Sequence, residues 1–234
     1  MNRVHPTALI GAGVDLGDGN VVGPYAVLLG PAIVGDANWF GPHVVVGTPG
    51  EIRGIDHGAA WFPEDADRVG TGVRIGDRNV LREYTTVHQG HYAVTVIGDD
   101  CYVMNKGYVG HDDVIVDSVT MASSVTLGGH VHVGAGANLG MGATVHQRRV
   151  VGPGAMVGMG AVVTRDVPPY ALAHGTPCRV RGVNRAAIER DGVPDRAAAE
   201  LATAYAAGRV PSAAEVGTGL AAAWAWWSAE TAAG

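Results

Sequence analysis

His111, Gly129 and Gln147 stand eighteen residues apart, and the columns beside them hold Asp112, His130 and Arg148, and Gly110, Gly128 and His146. His88 falls beneath the last of these if a four-residue slip further down the chain is a loop. An imidazole, a glycine amide and a carboxamide in one column suit acyl transfer from a thioester. That reaction needs a base working near neutrality to take the proton of an attacking hydroxyl or amine. It also needs an N–H aimed at the oxygen of the tetrahedral intermediate. His111 is the candidate base, and the amide of Gly129, one repeat on, is the candidate donor. A single histidine is equally at home as a surface or corner residue, so it is the recurrence on one face that points to chemistry. Asp113 and Arg149, on one face two repeats apart, read as a structural polar pair across Val131.

The interval comes from a repeat of six. From Ile97 to Val163 an aliphatic residue returns at Val103, Val109, Ile115, Met121, Leu127, Val133, Leu139, Val145, Val151 and Val157 without a miss. A strand repeats at two and a helix near 3.6, so a strict six demands a short flat run, then a corner, over and over. Three runs close one triangular coil, and residues eighteen apart stack at roughly 4.8 Å. The pattern therefore predicts an all-β solenoid of hexapeptide repeats, a parallel β-helix with the aliphatics inside. The coil is left-handed, against the usual crossover rule, which is a property of that architecture and not of the period.

The same register opens the chain, with Ile10, Leu16, Val22, Leu28, Val34, Phe40 and Val46, so the solenoid is expected to span 1–170. It lapses twice. The first insertion, about 48–72, contains Glu51, Arg53, Asp56, His57, Trp61, Phe62 and Asp65; the second, about 88–96, is the four-residue slip. Loops thrown from corners are where ligand contacts are expected. The paired prolines Pro168 and Pro169 are expected to end the coil, leaving 171–234 as a connecting segment and a small appendage of helices near Arg185 to Asp191, Asp195 to Ala207 and Ala213 to Ala233. Trp224, Trp226 and Trp227 in the last stretch read as anchors of these helices on the solenoid or on a neighbouring subunit.

Composition narrows the function. A net charge of −6 with a single lysine, Lys106, argues against nonspecific nucleic-acid binding. Cys101 and Cys178 give neither a disulfide framework nor metal-ligand spacing. No signal peptide and no run approaching eighteen apolar residues is present, so a cytoplasmic protein without membrane insertion is expected.

Five stretches resemble the UDP-N-acetylglucosamine O-acyltransferase family of lipid A biosynthesis: Ile75 to Gly90, Val109 to Asp113, Leu127 to Val133, Ala143 to Gln147 and Arg165 to Gly175. The likeness covers roughly residues 4 to 191. It implies a homotrimer of left-handed β-helices with active sites between subunits, moving a 3-hydroxyacyl group from acyl carrier protein to the sugar 3-hydroxyl of the nucleotide-linked acceptor. By motif, His111 matches the general base, Asp112 the acid supporting it and Gly129 the oxyanion-hole amide. His130, His88, His146 and Gln147 match substrate-binding positions, and Asn184 and Arg190 match nucleotide or donor contacts in the tail. Glu51 and Arg53 match the acidic and basic ends of a triplet in the first insertion.

Three departures bear on specificity. Tyr108 stands where the family usually has a histidine touching the sugar nucleotide. Met159 occupies a position where the family uses glycine for long acyl chains and methionine for shorter ones. Gly175 to Gly182, GTPCRVRG, is closer to the ending of CoA-dependent hexapeptide acetyltransferases. The implied donor is thus an acyl-carrier-protein or CoA thioester acting as co-substrate, the acceptor hydroxyl or amine stays open, and no cofactor or metal is implied. A CoA-dependent acetyl or short-acyl transferase is the alternative. A hexapeptide carbonic anhydrase needs histidines five apart on zinc, and five after His111 lies Val116. A non-catalytic scaffold is disfavoured by the His111, Gly129, Gln147 column.

Overall fold

The computed structural model describes residues 1–55 and 70–232. Of the first insertion, Asp56, His57, Trp61, Phe62 and Asp65 lie outside the described residues. The chain is a left-handed parallel β-helix carrying a helical tail. Its strands, mostly of two residues, stack into three parallel sheets. Tyr102–Val103 lies on the first face, Tyr108–Val109 on the second and Val114–Ile115 on the third. Residues eighteen apart are neighbours, as in Tyr102↔Thr120 and Thr120↔Asn138. All twelve aliphatics from Ile97 to Val163 point inward and are at most 1% exposed. Ile10, in the open first coil, is 37% exposed because no rung lies beneath it.

The corners hold the shape. On the corner from third to first face, Asn20, Asn38 and Asn79 are buried and bridge successive rungs. Asn20 Oδ1 accepts from the Asn38 amide at 2.8 Å, and Asn38 Nδ2 donates to Gly76 O at 2.9 Å. Buried carboxamides are tolerable there because both ends are satisfied. Cys101 takes the next place in the ladder, its N–H donating to Asn79 Oδ1 at 2.7 Å and its Sγ to Val116 O at 3.2 Å.

The prolines do not end the sheet at 170 as expected. Val167 still bridges to Val151, Pro169 and Tyr170 form one more corner, and Ala171–His174 adds a further rung beside Met156–Val157. Pro169 stands opposite Pro153 of the rung before, a corner position that proline already occupies there. The chain then doubles back, Arg179–Val183 pairing antiparallel with Ala171–His174. The second interruption is also shorter than expected, since Thr86–His88 and Thr95–Ile97 are strands on either side of it.

Three helices follow: α1 (Arg185–Arg190), α2 (Asp195–Ala206) and α3 (Ala221–Ala232). Trp224 is buried, its indole N–H donating to Pro211 O at 2.8 Å, and Trp226 and Trp227 are half-buried. A hydrogen bond between His132 Nδ1 and Glu230 Oε2 ties α3 to the third face. Among the described residues no helix is long and apolar enough to cross a membrane.

Candidate active site

The corner from second to third face, below called the histidine corner, carries His111, Gly129 and Gln147 one above another. The N–H of His130 reaches His111 O and that of Arg148 reaches Gly129 O, both at 3.0 Å. Asp112, His130 and Arg148 all adopt left-handed backbone, φ +62°, +62° and +59°. Neighbouring side chains diverge on a strand. At this bend they converge instead, and Asp112 Oδ2 lies 2.6 Å from His111 Nδ1.

Both interruptions of the repeat close on that pair. From the second, the amides of His91, Tyr92 and Ala93 all donate to Asp112 Oδ1, at 2.9, 2.8 and 2.6 Å. The Asp112 N–H is taken by Thr95 Oγ1 at 2.9 Å. Burial alone would push the Asp112 carboxyl up, but the Ala93 amide, the His111 imidazole and the amides of Tyr92 and His91 outweigh it and hold it below the ordinary range. Asp112 therefore stays an anion that fixes the imidazole. From the first interruption, Gly50 lies so close that a Cβ there would stand 2.9 Å from His111 Cβ. The imidazole is clamped from two sides, with Nδ1 committed and Nε2 facing Gly129.

Gly129 meets the requirement of the chemistry. A Cβ on it would lie 2.6 Å from His111 Nε2. Among the described residues its N–H goes to no backbone carbonyl, which leaves it for an oxyanion beside the imidazole.

His130 joins the cluster, 3.6 Å from Asp112 Oδ2 and edge-on to the His111 ring with centroids 5.2 Å apart. Burial lowers its pKa, Asp112 opposes this, and Arg148, His111 and His132 add to the lowering. Tyr92 covers it, stacked at 5.8 Å. His111, Asp112 and His130 each place a ligand atom within 4.8 Å of the others, enough to hold a metal ion. The sequence-based expectation of no metal considered only the spacing of histidines and cysteines and did not foresee this group.

The other expected contacts divide. His88 is buried and bonds Pro49 O at 2.8 Å, so it secures the base of the first insertion. Tyr108 donates its hydroxyl to Glu51 Oε2 at 2.6 Å and lies 5.1 Å from the His88 ring. Burial first, and then Glu51, push the Tyr108 phenol well above its ordinary range, so it remains a donor. Arg53 is exposed in the same insertion. His146 and Gln147 are exposed at the upper end of the corner, with His146 Nδ1 3.1 Å from Gln147 O.

Met159 and the two tail residues are not on this corner. Met159, 73% exposed, sits between first and second faces. Asn184 caps α1 and donates to Gly154 O at 2.9 Å, while Arg190 binds Asp191 and Gly136 O, all on the corner from third to first face. Within one protomer the expected site is spread over all three corners.

The expected Asp113–Arg149 pair does not form. Asp113 turns inward to accept from Val131 and Gly110 amides at 2.7 and 2.8 Å, and Arg149 pairs with Asp166 at 3.2 Å. Burial holds the Asp113 carboxyl well above the ordinary range despite those amides, and the Asp112 charge adds to the effect. Sequence reasoning also missed the three amides on Asp112 and the approach of Gly50. The only signal was that the repeat breaks at these two places.

Replacing Asp112 with Asn would test the clamp. The three amides would keep the carboxamide oxygen, turning its NH2 toward His111 Nδ1 and forcing the imidazole proton onto Nε2. Turnover is expected to fall on the order of 10²- to 10⁴-fold, with the tautomer switch visible as an Nε2 proton by NMR. Retention of the Nδ1 proton would contradict the clamp.

Known proteins resemble this chain along most of its length. The profile described as UDP N-acetylglucosamine O-acyltransferase, domain 2, matches residues 166–208. An acyl-[acyl-carrier-protein]–UDP-N-acetylglucosamine O-acyltransferase of Paraburkholderia phytofirmans is 39% identical over 215 residues, covering 88% of this chain and 82% of that protein. The enzyme of that name from Thermodesulfovibrio yellowstonii is 34% identical over 221 residues, covering 88% and 83%. Among solved structures, the UDP-N-acetylglucosamine acyltransferase from Campylobacter jejuni superposes with a TM-score of 0.73 at 25% identity, covering 87% of this chain and 83% of that one.

Proposed function

The chain belongs to the UDP-N-acetylglucosamine O-acyltransferase family, and from that premise we propose that it moves a 3-hydroxyacyl group from acyl carrier protein to the 3-hydroxyl of UDP-N-acetylglucosamine, with His111 as general base. The observation that carries the assignment of roles is the clamped imidazole, with Nδ1 on Asp112 at 2.6 Å and Nε2 beside Gly129. Nε2 takes the proton of the sugar hydroxyl as its oxygen attacks the thioester carbonyl. The oxyanion formed accepts from the Gly129 N–H, and collapse of the intermediate breaks the C–S bond. The imidazolium returns its proton to the departing thiolate, so no free acid or base is needed from solvent.

The working unit in this proposal is a cyclic homotrimer in the cytosol. Met159, His111 and the Asn184–Arg190 pair occupy three different corners, and a threefold arrangement brings unlike corners of neighbours together. Met141 and Met159, 53% and 73% exposed on one corner, give a neighbour an apolar strip to cover. Light scattering should give three times the protomer mass; a monomer at assay concentration would contradict this.

The transfer itself is tested by release of carrier thiol from 3-hydroxyacyl carrier protein. Thiol release that depends on UDP-N-acetylglucosamine is the expected result. Release that needs another nucleotide sugar, or proceeds only from CoA, would overturn the assignment of acceptor or donor. Tyr108 and Glu51 occupy the acceptor side in this reading, their 2.6 Å bond presenting a hydroxyl and a carboxylate to the sugar.

A further inference from the structure

One rung of the ladder is built differently from its neighbours. Along the long run of repeats, the N–H after each inward aliphatic donates to the carbonyl of the aliphatic one coil on: Gly98 to Ile115 and Met104 to Met121 at 2.8 Å, Val116 to Val133 and Gly128 to Val145 at 2.9 Å. Gly110 breaks the series. Its N–H donates to Asp113 Oδ2 at 2.8 Å in place of Leu127 O. The strand pairing there is confined to Tyr108 and Thr126, whereas the rungs on either side pair over two residues.

The second oxygen of Asp113 reaches the next coil, where Oδ1 accepts from the Val131 N–H at 2.7 Å. The side chain is fully buried, in the slot four after the aliphatic that Val119, Val125, Ala137 and Ala143 fill elsewhere. On the corner from third to first face that slot holds Asn20, which shows what the neutral isostere does. Its Oδ1 also accepts from the N–H eighteen residues on, but its Nδ2 donates to Gly35 O at 2.9 Å, and the Gly17 N–H stays in the ladder on Val34 O. A carboxamide accepts at one end and donates at the other, whereas a carboxyl group accepts at both. Asp113 uses both ends, one on each coil.

What it grips is the active corner. The Gly110 N–H lies in the peptide just before His111, and the Val131 N–H closes the turn that carries Gly129 and His130. The carbonyl equivalent to Gly35 O is Gly128 O, which shares its peptide plane with the Gly129 N–H; among the described residues it accepts no hydrogen bond.

We propose that Asp113 is a positioning residue which, by accepting from Gly110 and Val131 together, sets the main chain that carries His111 against the main chain that carries Gly129. It fixes the separation of base and oxyanion donor without touching substrate. This deepens the acyltransferase reading and rests on it.

The test is D113N, with D113A beside it. The asparagine should take up the Asn20 arrangement, Nδ2 on Gly128 O and the Gly110 N–H returned to Leu127 O. The alanine should fill the slot as Ala137 does, with the Val131 N–H closing on Gly128 O as that of Ala137 closes on Gly134 O at 3.2 Å. The buried amides stay paired in both variants, so neither melting temperature should fall. Misplacing a reacting group by about 1 Å costs roughly a hundredfold, so kcat should drop about ten- to a hundredfold in both while KM for the nucleotide sugar stays nearly unchanged.

Turnover by D113N equal to the parent's would overturn the proposal. So would rate losses that merely follow lowered melting temperatures in both variants, which would make Asp113 a packing residue. A crystal structure of D113N reads the main chain independently of turnover, and a Gly110 N–H still off the ladder there would also count against it. If Gly110 returns to Leu127 O but the parent protein transfers no acyl group, the acyltransferase reading fails and the grip of Asp113 on the two coils stands.

Discussion

Replacing His111 with Ala should lower kcat by about 10²- to 10⁴-fold, the range general-base catalysis contributes, while KM for the nucleotide sugar stays nearly unchanged. The fold should survive. The ladder contact at this position uses the His111 backbone carbonyl, which Ala retains, and Asp112 keeps the three amides that hold Oδ1. Single-turnover rates with a melting curve on the same sample check both halves of the expectation. Turnover within tenfold of the parent would remove His111 from the role of base, and a large fall in melting temperature would make the loss of activity uninformative.

Gly129→Ala should be nearly as damaging by a different route. The backbone at Gly129 is not among the left-handed positions of the corner, so Ala is conformationally allowed and the cost is contact alone. Its Cβ would stand 2.6 Å from both Cε1 and Nε2 of His111. A free imidazole would swing aside, but this one is tied to Asp112 at 2.6 Å and backed by Gly50. Something must break, and misplacing a reacting group by about 1 Å costs roughly a hundredfold. The diagnostic is non-additivity: G129A in a H111A background should add little, because the group it displaces is gone. Independent, multiplying losses would show that Gly129 acts apart from the imidazole.

Much of this was legible in the chain. Twelve aliphatics in register fix the solenoid, and the interval of eighteen places His111, Gly129 and Gln147 on one corner. The period does not fix what a side chain at a bend reaches. Asp113 and Arg149 share a face by spacing, yet Asp113 turns inward to two amides because the corner at Gly110 needs their N–H groups satisfied. Pro168 and Pro169 read as a stop because proline ends ladders, but Pro169 stands at a corner, opposite Pro153 of the rung before. The interruptions were visible as breaks, with no sign that one would deliver three amides to a single carboxylate oxygen. Asn184 and Arg190 carry a matching motif, while which corner they occupy depends on how the tail folds back across the last coil.

The most direct test of the account is the mass of the product formed from UDP-N-acetylglucosamine and 3-hydroxyacyl carrier protein, run side by side with parent and H111A protein. The predicted result is a nucleotide sugar heavier by one 3-hydroxyacyl group, joined through the sugar 3-oxygen, made by the parent and reduced at least a hundredfold with H111A. No such product from the parent, or its formation at equal rates by both proteins, would contradict the account.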